Sequence, residues 1–143
     1  DDARARAVAA STMLIEEIVL DARQGQDLDM GFTREPGKIL LHGHCHQRAL
    51  VGTGAAMEVL RSIPGCEPQE VPSGCCGMAG AFGFEKEHYD ISMRIGEQVL
   101  FKAIRSEEGD FDVVSEGVSC RQQIEHGTGR NARHLVEVLA DSL

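Results

Sequence analysis

Four of the five cysteines in this 143-residue chain stand where soft metal ligands could meet. One lies in a histidine-rich segment, two are adjacent and followed by glycine, and one lies in the C-terminal third; in chain order they are Cys45, Cys75, Cys76 and Cys120. Thiolates are the ligands that structural zinc and iron–sulfur clusters prefer. The pattern therefore predicts a metal or iron–sulfur site with these four cysteines as ligands.

Histidines surround the first of these cysteines. His42, His44 and His46 alternate about Cys45, so a strand continued through them would place the three rings on one face. A neutral imidazole can bind a metal, or it can donate a hydrogen bond to a ligating thiolate. His46 and His126 are the further candidate ligands because both lie beside the cysteine segments; an ordinary hydrogen-bonding role is the alternative for each.

The last of the four cysteines lies at the start of a predicted helix. We expect Ser119 to cap this helix, with Gln122 completing a capping box. Cys120 would then be the first helical residue, where the helix dipole and the neighbouring Arg121 lower the pKa of its thiol. The alternative is a small buried residue at a helix start.

Two glycines flank the adjacent cysteine pair. Gly74 and Gly77 would let the backbone of Cys75 and Cys76 approach a ligand closely. Adjacent thiolates point in different directions, which suits a multi-iron cluster better than one tetrahedral ion. Two packed thiols in a tight turn are the alternative. Cys66 fits no cluster, and we expect an ordinary buried or half-buried thiol there.

The elements that must position these residues alternate between strand and helix. Short apolar runs predict strands at residues 38–42, 67–71, 111–115 and 132–134. Helical periodicity and end signals predict helices at residues 3–24, 53–61, 85–105, 119–126 and 136–143. Polar and glycine-containing segments predict a linker at 24–37 and a loop at 73–84.

This alternation predicts an α/β fold. We expect a small three-layer domain with a short, mostly parallel, Rossmann-like sheet. In such sheets, ligands collect outside the carboxyl ends of the strands. The cysteine loops all follow predicted strands, so they should meet at that carboxyl edge.

Composition excludes several classes of function. The 14 Lys and Arg against 23 Asp and Glu give a net charge of −9, which argues against nucleic acid and anionic membranes as partners. No apolar run reaches the roughly 20 residues of a membrane span, and no signal peptide is recognisable. An odd number of cysteines, two of them adjacent, indicates a reducing, cytoplasmic setting. The chain begins without Met, which favours a piece of a longer protein.

The cysteine motifs resemble the cysteine-rich CCG domain. This domain recurs in the heterodisulfide reductase B subunit, in the iron–sulfur subunits of glycolate oxidase and anaerobic glycerol-3-phosphate dehydrogenase, and in related lactate-utilisation proteins. Segments 42–47, 74–80, 84–89 and 119–129 are similar to the C-terminal region of fused FAD-linked oxidases of the D-lactate and D-2-hydroxyglutarate dehydrogenase type. The resemblance covers about residues 35–143, which implies a CCG domain there and an N-terminal helix and linker of the parent chain at 1–34.

The resemblance implies an electron-transfer domain of an FAD-linked 2-hydroxy-acid dehydrogenase, which is an oxidoreductase. The FAD would be bound by another domain of the parent chain, and a ferredoxin-like domain would share the electron transfer. Those two domains would be the partners of this fragment, which alone should be inactive.

One position departs from the family pattern. The pattern ends in Cys-x-x-Cys, and here Gln123 takes the place of the last cysteine. The four remaining thiolates predict a [4Fe–4S] cluster, with zinc as the alternative, and His126 is near enough in sequence to compensate for the missing thiol. The alternative functions are a structural zinc or metal-free docking domain, and a thiol–disulfide module at Cys75 and Cys76.

Overall fold

A four-stranded sheet forms the centre of the computed structural model, which describes residues 2–25 and 30–143. The strands are β1 (Lys38–Leu41), β2 (Glu67–Glu70), β3 (Asp112–Val114) and β4 (Ala132–Arg133), in the order β2-β1-β3-β4. All neighbouring strands are parallel, and Leu40 of β1 pairs with Gln69 on one side and Val113 on the other. The predicted α/β fold with a parallel sheet is confirmed.

Eight α-helices accompany these strands. They are α1 (Ala3–Ala10), α2 (Ile15–Gly25), α3 (Cys45–Leu50), α4 (Gly54–Arg61), α5 (Tyr89–Gln98), α6 (Leu100–Ser106), α7 (Val118–Thr128) and α8 (Leu135–Ser142). Two 3₁₀ helices, Phe82–Phe84 and Lys86–His88, precede α5. No helix in the described part of the chain is long and apolar enough to cross a membrane.

Helices cover both faces of the sheet, which makes three layers. Ile39 and Leu41 pack into one buried cluster with residues of α4 and α8, and Val19 and Leu20 of α2 lie against that cluster. Leu40, which points to the opposite face, packs with residues of α6 and α7. Because successive strand residues alternate between faces, the apolar run of β1 supplies both cores.

Two predicted helices are each broken in the structure. The helix predicted at 3–24 is divided between α1 and α2, because the hydroxyls of Ser11 and Thr12 both donate to the carbonyl of Val8 and compete with the helical ladder. The helix predicted at 85–105 begins as 3₁₀ segments and is interrupted at Val99, whose φ of −136° is not helical. Of the linker predicted at 24–37, residues 26–29 lie outside the described residues.

The carboxyl ends of the three longest strands lie side by side. The backbone N–H of His42 donates to Val114, and that of Val71 donates to Leu41, so each pairing continues one residue past its strand. The segments that carry the four cysteines leave the sheet from these ends. The sheet therefore delivers all of them to one edge, as its parallel topology requires.

Candidate metal centre

Three potential ligands form a buried group at the carboxyl edge. One ring nitrogen of His42 and the Sγ atoms of Cys76 and Cys120 all lie within 4.8 Å of one another. The three residues are only 1%, 3% and 1% exposed. No other His, Cys, Asp or Glu residues in the described ranges bring three ligand atoms so close together. This group could bind a metal.

The His42 ring is oriented by the loop after β2. Its Nδ1 lies 2.7 Å from the hydroxyl of Ser73, which is itself buried. The other ring nitrogen, Nε2, is buried and has no hydrogen-bond partner. A buried polar atom without a partner costs free energy, whereas a neutral imidazole nitrogen held in this way is a good metal ligand.

The two buried thiols affect each other's ionisation. The adjacent thiol of Cys120 lowers the pKa of Cys76 to about 4, burial opposes this fall, and His42 and the backbone N–H of Met78 add to it. The proximity of Cys76, together with burial, raises the pKa of Cys120. The pair therefore loses its first proton more easily than an isolated thiol and its second proton less easily.

The predicted capping box at Cys120 is wrong. Gly117 is the N-cap of α7, no side chain caps it, and Cys120 is the third helical residue. Arg121 is directed elsewhere, since its Nη1 donates to the carbonyls of Ser115 and Glu116 at 2.9 Å each. The expected fall in the pKa of Cys120 is replaced by a rise, which the neighbouring Cys76 and burial cause.

The other two predicted cysteine ligands lie next to this group and are more exposed. Cys45 begins α3, and Cys75 immediately precedes Cys76; both are half-buried and free. The Sγ of Cys75 accepts a hydrogen bond from the N–H of Gly77 at 3.3 Å. Burial raises the pKa of Cys75, and the charges of Cys76 and Cys45 add to that rise. Cys45 also raises the pKa of Cys120, so the four sulfurs interact electrostatically.

The two histidines predicted as further ligands are exposed. His46 lies on α3 with its ring 5.3 Å from that of His44. His126 lies near the end of α7, where its Nε2 is 3.1 Å from the hydroxyl of Tyr89. Neither belongs to the buried group. Cys66 is half-buried as expected, and burial raises the pKa of its thiol to about 11.

Two glycines pack closely around the centre. A Cβ on Gly117 would lie 2.6 Å from the His44 ring and 2.9 Å from the Sγ of Cys120. Gly77 has a φ of +106°, and a Cβ there would collide with the carbonyl oxygen of Ser92. Gly74 has no atom within 4 Å of its added Cβ, so only one of the two glycines beside the pair is crowded by the protein.

Gln123 occupies the place of the expected fifth cysteine. Its side chain is buried, and its Nε2 donates to the hydroxyl of Ser92 at 2.9 Å. Ser92 in turn donates to the sulfur of Met78 at 3.8 Å. The same Nε2 would lie 3.1 Å from a Cβ on Gly77. Gln123 therefore ties α7 to α5 and reaches the turn that carries the cysteine pair.

The donor set fits a metal or a small cluster. It combines two cysteine sulfurs and an imidazole nitrogen that are buried together with the two half-buried sulfurs of Cys45 and Cys75. Sequence reasoning gave His42 no preference over the other histidines. Its position directly after β1, at the carboxyl edge, was the available signal.

Comparisons with known proteins found relatives among dehydrogenases and a lactate utilization protein. The chain is 39% identical over 108 residues to one of the subunits of anaerobic glycerol-3-phosphate dehydrogenase from Escherichia coli K12, covering 76% of this chain and 27% of that protein. It is 32% identical over 100 residues to D-2-hydroxyglutarate dehydrogenase from the same organism, covering 69% and 10%. Lactate utilization protein A of Anoxybacillus flavithermus is 27% identical over 146 residues, covering 96% and 58%.

No protein-family model and no solved structure gave a match. The chain spans about a quarter of the length of the related glycerol-3-phosphate dehydrogenase protein and a tenth of the hydroxyglutarate dehydrogenase. It is therefore homologous to parts of larger dehydrogenase proteins and to a lactate utilization protein.

Proposed function

We propose that this chain is an electron-transfer domain that binds an iron–sulfur cluster, most simply a [4Fe–4S] cluster. The observation that carries the proposal is the buried group of His42, Cys76 and Cys120, with an imidazole nitrogen that has no hydrogen-bond partner. Half-buried Cys45 and Cys75 would complete, with Cys76 and Cys120, the four thiolates that a four-iron cluster takes, and the His42 ring would lie beside those sulfurs. The cluster would supply the redox chemistry when bound.

The protein's own residues would set the properties of that site. Ser73 holds the His42 ring in one orientation through Nδ1, and the N–H of Gly77 donates to Cys75. Hydrogen bonds to sulfur and exclusion of water are the usual means by which a protein tunes a cluster. The burial of Cys76 and Cys120 excludes water from their sulfurs, while half-buried Cys45 and Cys75 would leave part of the site accessible to an electron-transfer partner.

The homology to parts of dehydrogenases supports the wider role. We propose that the parent protein is an FAD-linked dehydrogenase of 2-hydroxy acids, with FAD-binding and ferredoxin-like partners outside this chain. A cytoplasmic location follows from the same proposal. A domain boundary near residue 35 also stays a prediction; α2, which precedes it, packs against α4, and Glu16 of α2 accepts a hydrogen bond from Gln47.

A structural zinc ion is the second candidate. The observation that favours it is His42, because one imidazole and three thiolates form a common tetrahedral zinc site, and Cys76 and Cys120 already lie beside the ring. In that case the domain would dock the redox domains of the parent protein without carrying electrons.

Metal analysis after anaerobic purification separates the two candidates. Iron with acid-labile sulfide and a visible absorption band supports the cluster, whereas one zinc per colourless chain supports the structural site. Cys76→Ser and Cys120→Ser should each lose the metal, while Cys66→Ser, which changes a half-buried thiol outside the group, should keep it. A protein that binds neither metal under reducing reconstitution would contradict both.

A further inference from the structure

A fully buried serine, Ser115, directly follows β3 at the carboxyl edge of the sheet. Leu40 pairs with Val113 in the parallel register of β1 and β3. The N–H of His42 donates to the carbonyl of Val114, so the same register continues and makes His42 the neighbour of Ser115. Adjacent strands lie about 4.8 Å apart, and the serine is therefore next to the histidine of the buried group.

The side chain of Ser115 points to the face of the sheet that carries the two buried sulfurs. Val113 packs in one cluster with Cys76 and Cys120, whereas Val114 packs in the cluster on the other face. Because successive strand residues alternate between faces, Ser115 shares the face of Val113. Its effect on the nearer sulfur agrees with this placement: Cys76 and burial raise the pKa of Cys120, and the Ser115 hydroxyl opposes that rise.

The hydroxyl of Ser115 is left without a hydrogen bond, although its backbone groups are both used. The backbone N–H donates to the carbonyl of Arg133, and the carbonyl accepts from Nη1 of Arg121, each at 2.9 Å. The Oγ atom is buried and has no partner in hydrogen-bond geometry among the described residues. A buried hydroxyl without a partner costs free energy, which indicates an acceptor that becomes available when the centre is filled.

A ligated cysteine sulfur is such an acceptor, because it carries more negative charge than a thiol. We propose that the Ser115 hydroxyl donates a hydrogen bond to the metal-bound sulfur of Cys120 and thereby raises the reduction potential of the cluster. This inference rests on the proposed function. Reduction adds negative charge to the cluster and its sulfurs, so a donor at one sulfur stabilises the reduced form more than the oxidised form. Ser115 would be a positioning residue that acts through Cys120.

The test measures iron content and the midpoint potential of the anaerobically purified protein by a redox titration of its visible absorption. Ser115→Ala should retain its iron, and its equilibrium constant for reduction should fall at least about tenfold, which is about 59 mV for a one-electron couple. Ser142→Ala is the matched control, because Ser142 is also buried and its hydroxyl donates to the carbonyl of Val138 in α8. The control should leave the potential unchanged.

A second pair of variants separates the hydroxyl from the space that it fills. Ser115→Thr and Ser115→Val have nearly the same shape, and only the first keeps a hydroxyl. We expect the valine variant to have the lower potential of the two, by the same factor of about ten. This comparison also decides the matter if Ser115→Ala loads its iron poorly.

The outcomes distinguish this inference from the proposed function. Full iron content with equal potentials in the threonine and valine variants, or an equal shift in Ser142→Ala, would overturn the role of Ser115 and leave the cluster in place. A chain that holds zinc would contradict the proposed function. The hydrogen bond would then be tested with Co²⁺ in place of zinc. Loss of the donor in Ser115→Val should move the thiolate-to-cobalt charge-transfer band to longer wavelength than in Ser115→Thr, and identical bands would overturn the inference.

Discussion

Replacing Gly117 with alanine tests whether the centre is as tightly closed as the structure indicates. The backbone of Gly117 has a φ of −74° and a ψ of 126°, which alanine adopts freely, so any cost must come from the methyl group. That methyl would lie 2.6 Å from Cδ2 of His44 and 2.9 Å from Sγ of Cys120. Both distances are shorter than the roughly 3.5 Å of a favourable contact.

The two neighbours differ in how far they can move. The His44 ring is half-buried and can rotate, whereas Cys120 is 1% exposed and packed among core residues. Overpacking at such a site costs about 1–3 kcal/mol. We therefore expect Gly117→Ala to lower the free energy of unfolding by that amount and to reduce metal affinity, because Cys120 is displaced from Cys76 and His42.

Urea unfolding and metal analysis measure these two effects. Gly74→Ala is the matched control, because Gly74 is also near the centre, yet its added methyl meets nothing within 4 Å. The control should unfold and bind metal like the unchanged protein. If Gly117→Ala also matched the unchanged protein in both measurements, the tight closure around Cys120 would be refuted.

Three further predictions concern single side chains. His42→Asn should weaken metal binding by at least about tenfold in a competition titration with a chelator, while His46→Ala should not. Equal losses of affinity in the two variants would contradict the role assigned to His42. Burial raises the pKa of Glu116 from 4.5 to about 7. Between these two pH values the folded state binds more protons than the unfolded state, so the free energy of unfolding falls as the pH rises from 4.5 to 7. Glu116→Gln should remove up to about 3 kcal/mol of this pH dependence. If urea unfolding gave the same pH dependence for the variant and the unchanged protein, this prediction would be wrong. Gln123→Leu, which removes a buried donor to Ser92, should lower the free energy of unfolding by about 1–3 kcal/mol, and an unchanged urea midpoint would argue that this bond contributes nothing.

The sheet was predictable because its signals are local. The run of Ile39, Leu40 and Leu41 is apolar at every position, as a strand buried on both faces must be, and helical segments separate the strands. The parallel order of the strands then brings their carboxyl ends to one edge, irrespective of the conformation of the loops. For this reason the placement of the cysteine segments at the carboxyl edge was predicted correctly, although several helix bounds were not.

The capping signals were harder to interpret. Ser119 followed by Gln122 matches a capping box in sequence, but the N-cap of α7 lies two residues before Ser119, at a glycine. A true capping box occurs at His134 and Glu137, where the His134 ring takes the place of the usual hydroxyl or carboxylate. The helix α3 was missed for a similar reason, since His44 is still extended and the helix begins only at Cys45.

Gln123 shows how the centre keeps its shape with one thiol fewer. A residue three positions after Cys120 lies one turn along α7 and faces the turn of the cysteine pair, where a fifth thiol would be expected. Gln123 instead fills that space with an amide that holds Ser92, and Ser92 packs against Gly77. The turn is thereby fixed by hydrogen bonding and packing rather than by a metal bond. His42, whose Nε2 has no hydrogen-bond partner, lies beside the buried sulfurs, so four thiols and one imidazole are the groups that this chain brings to the centre.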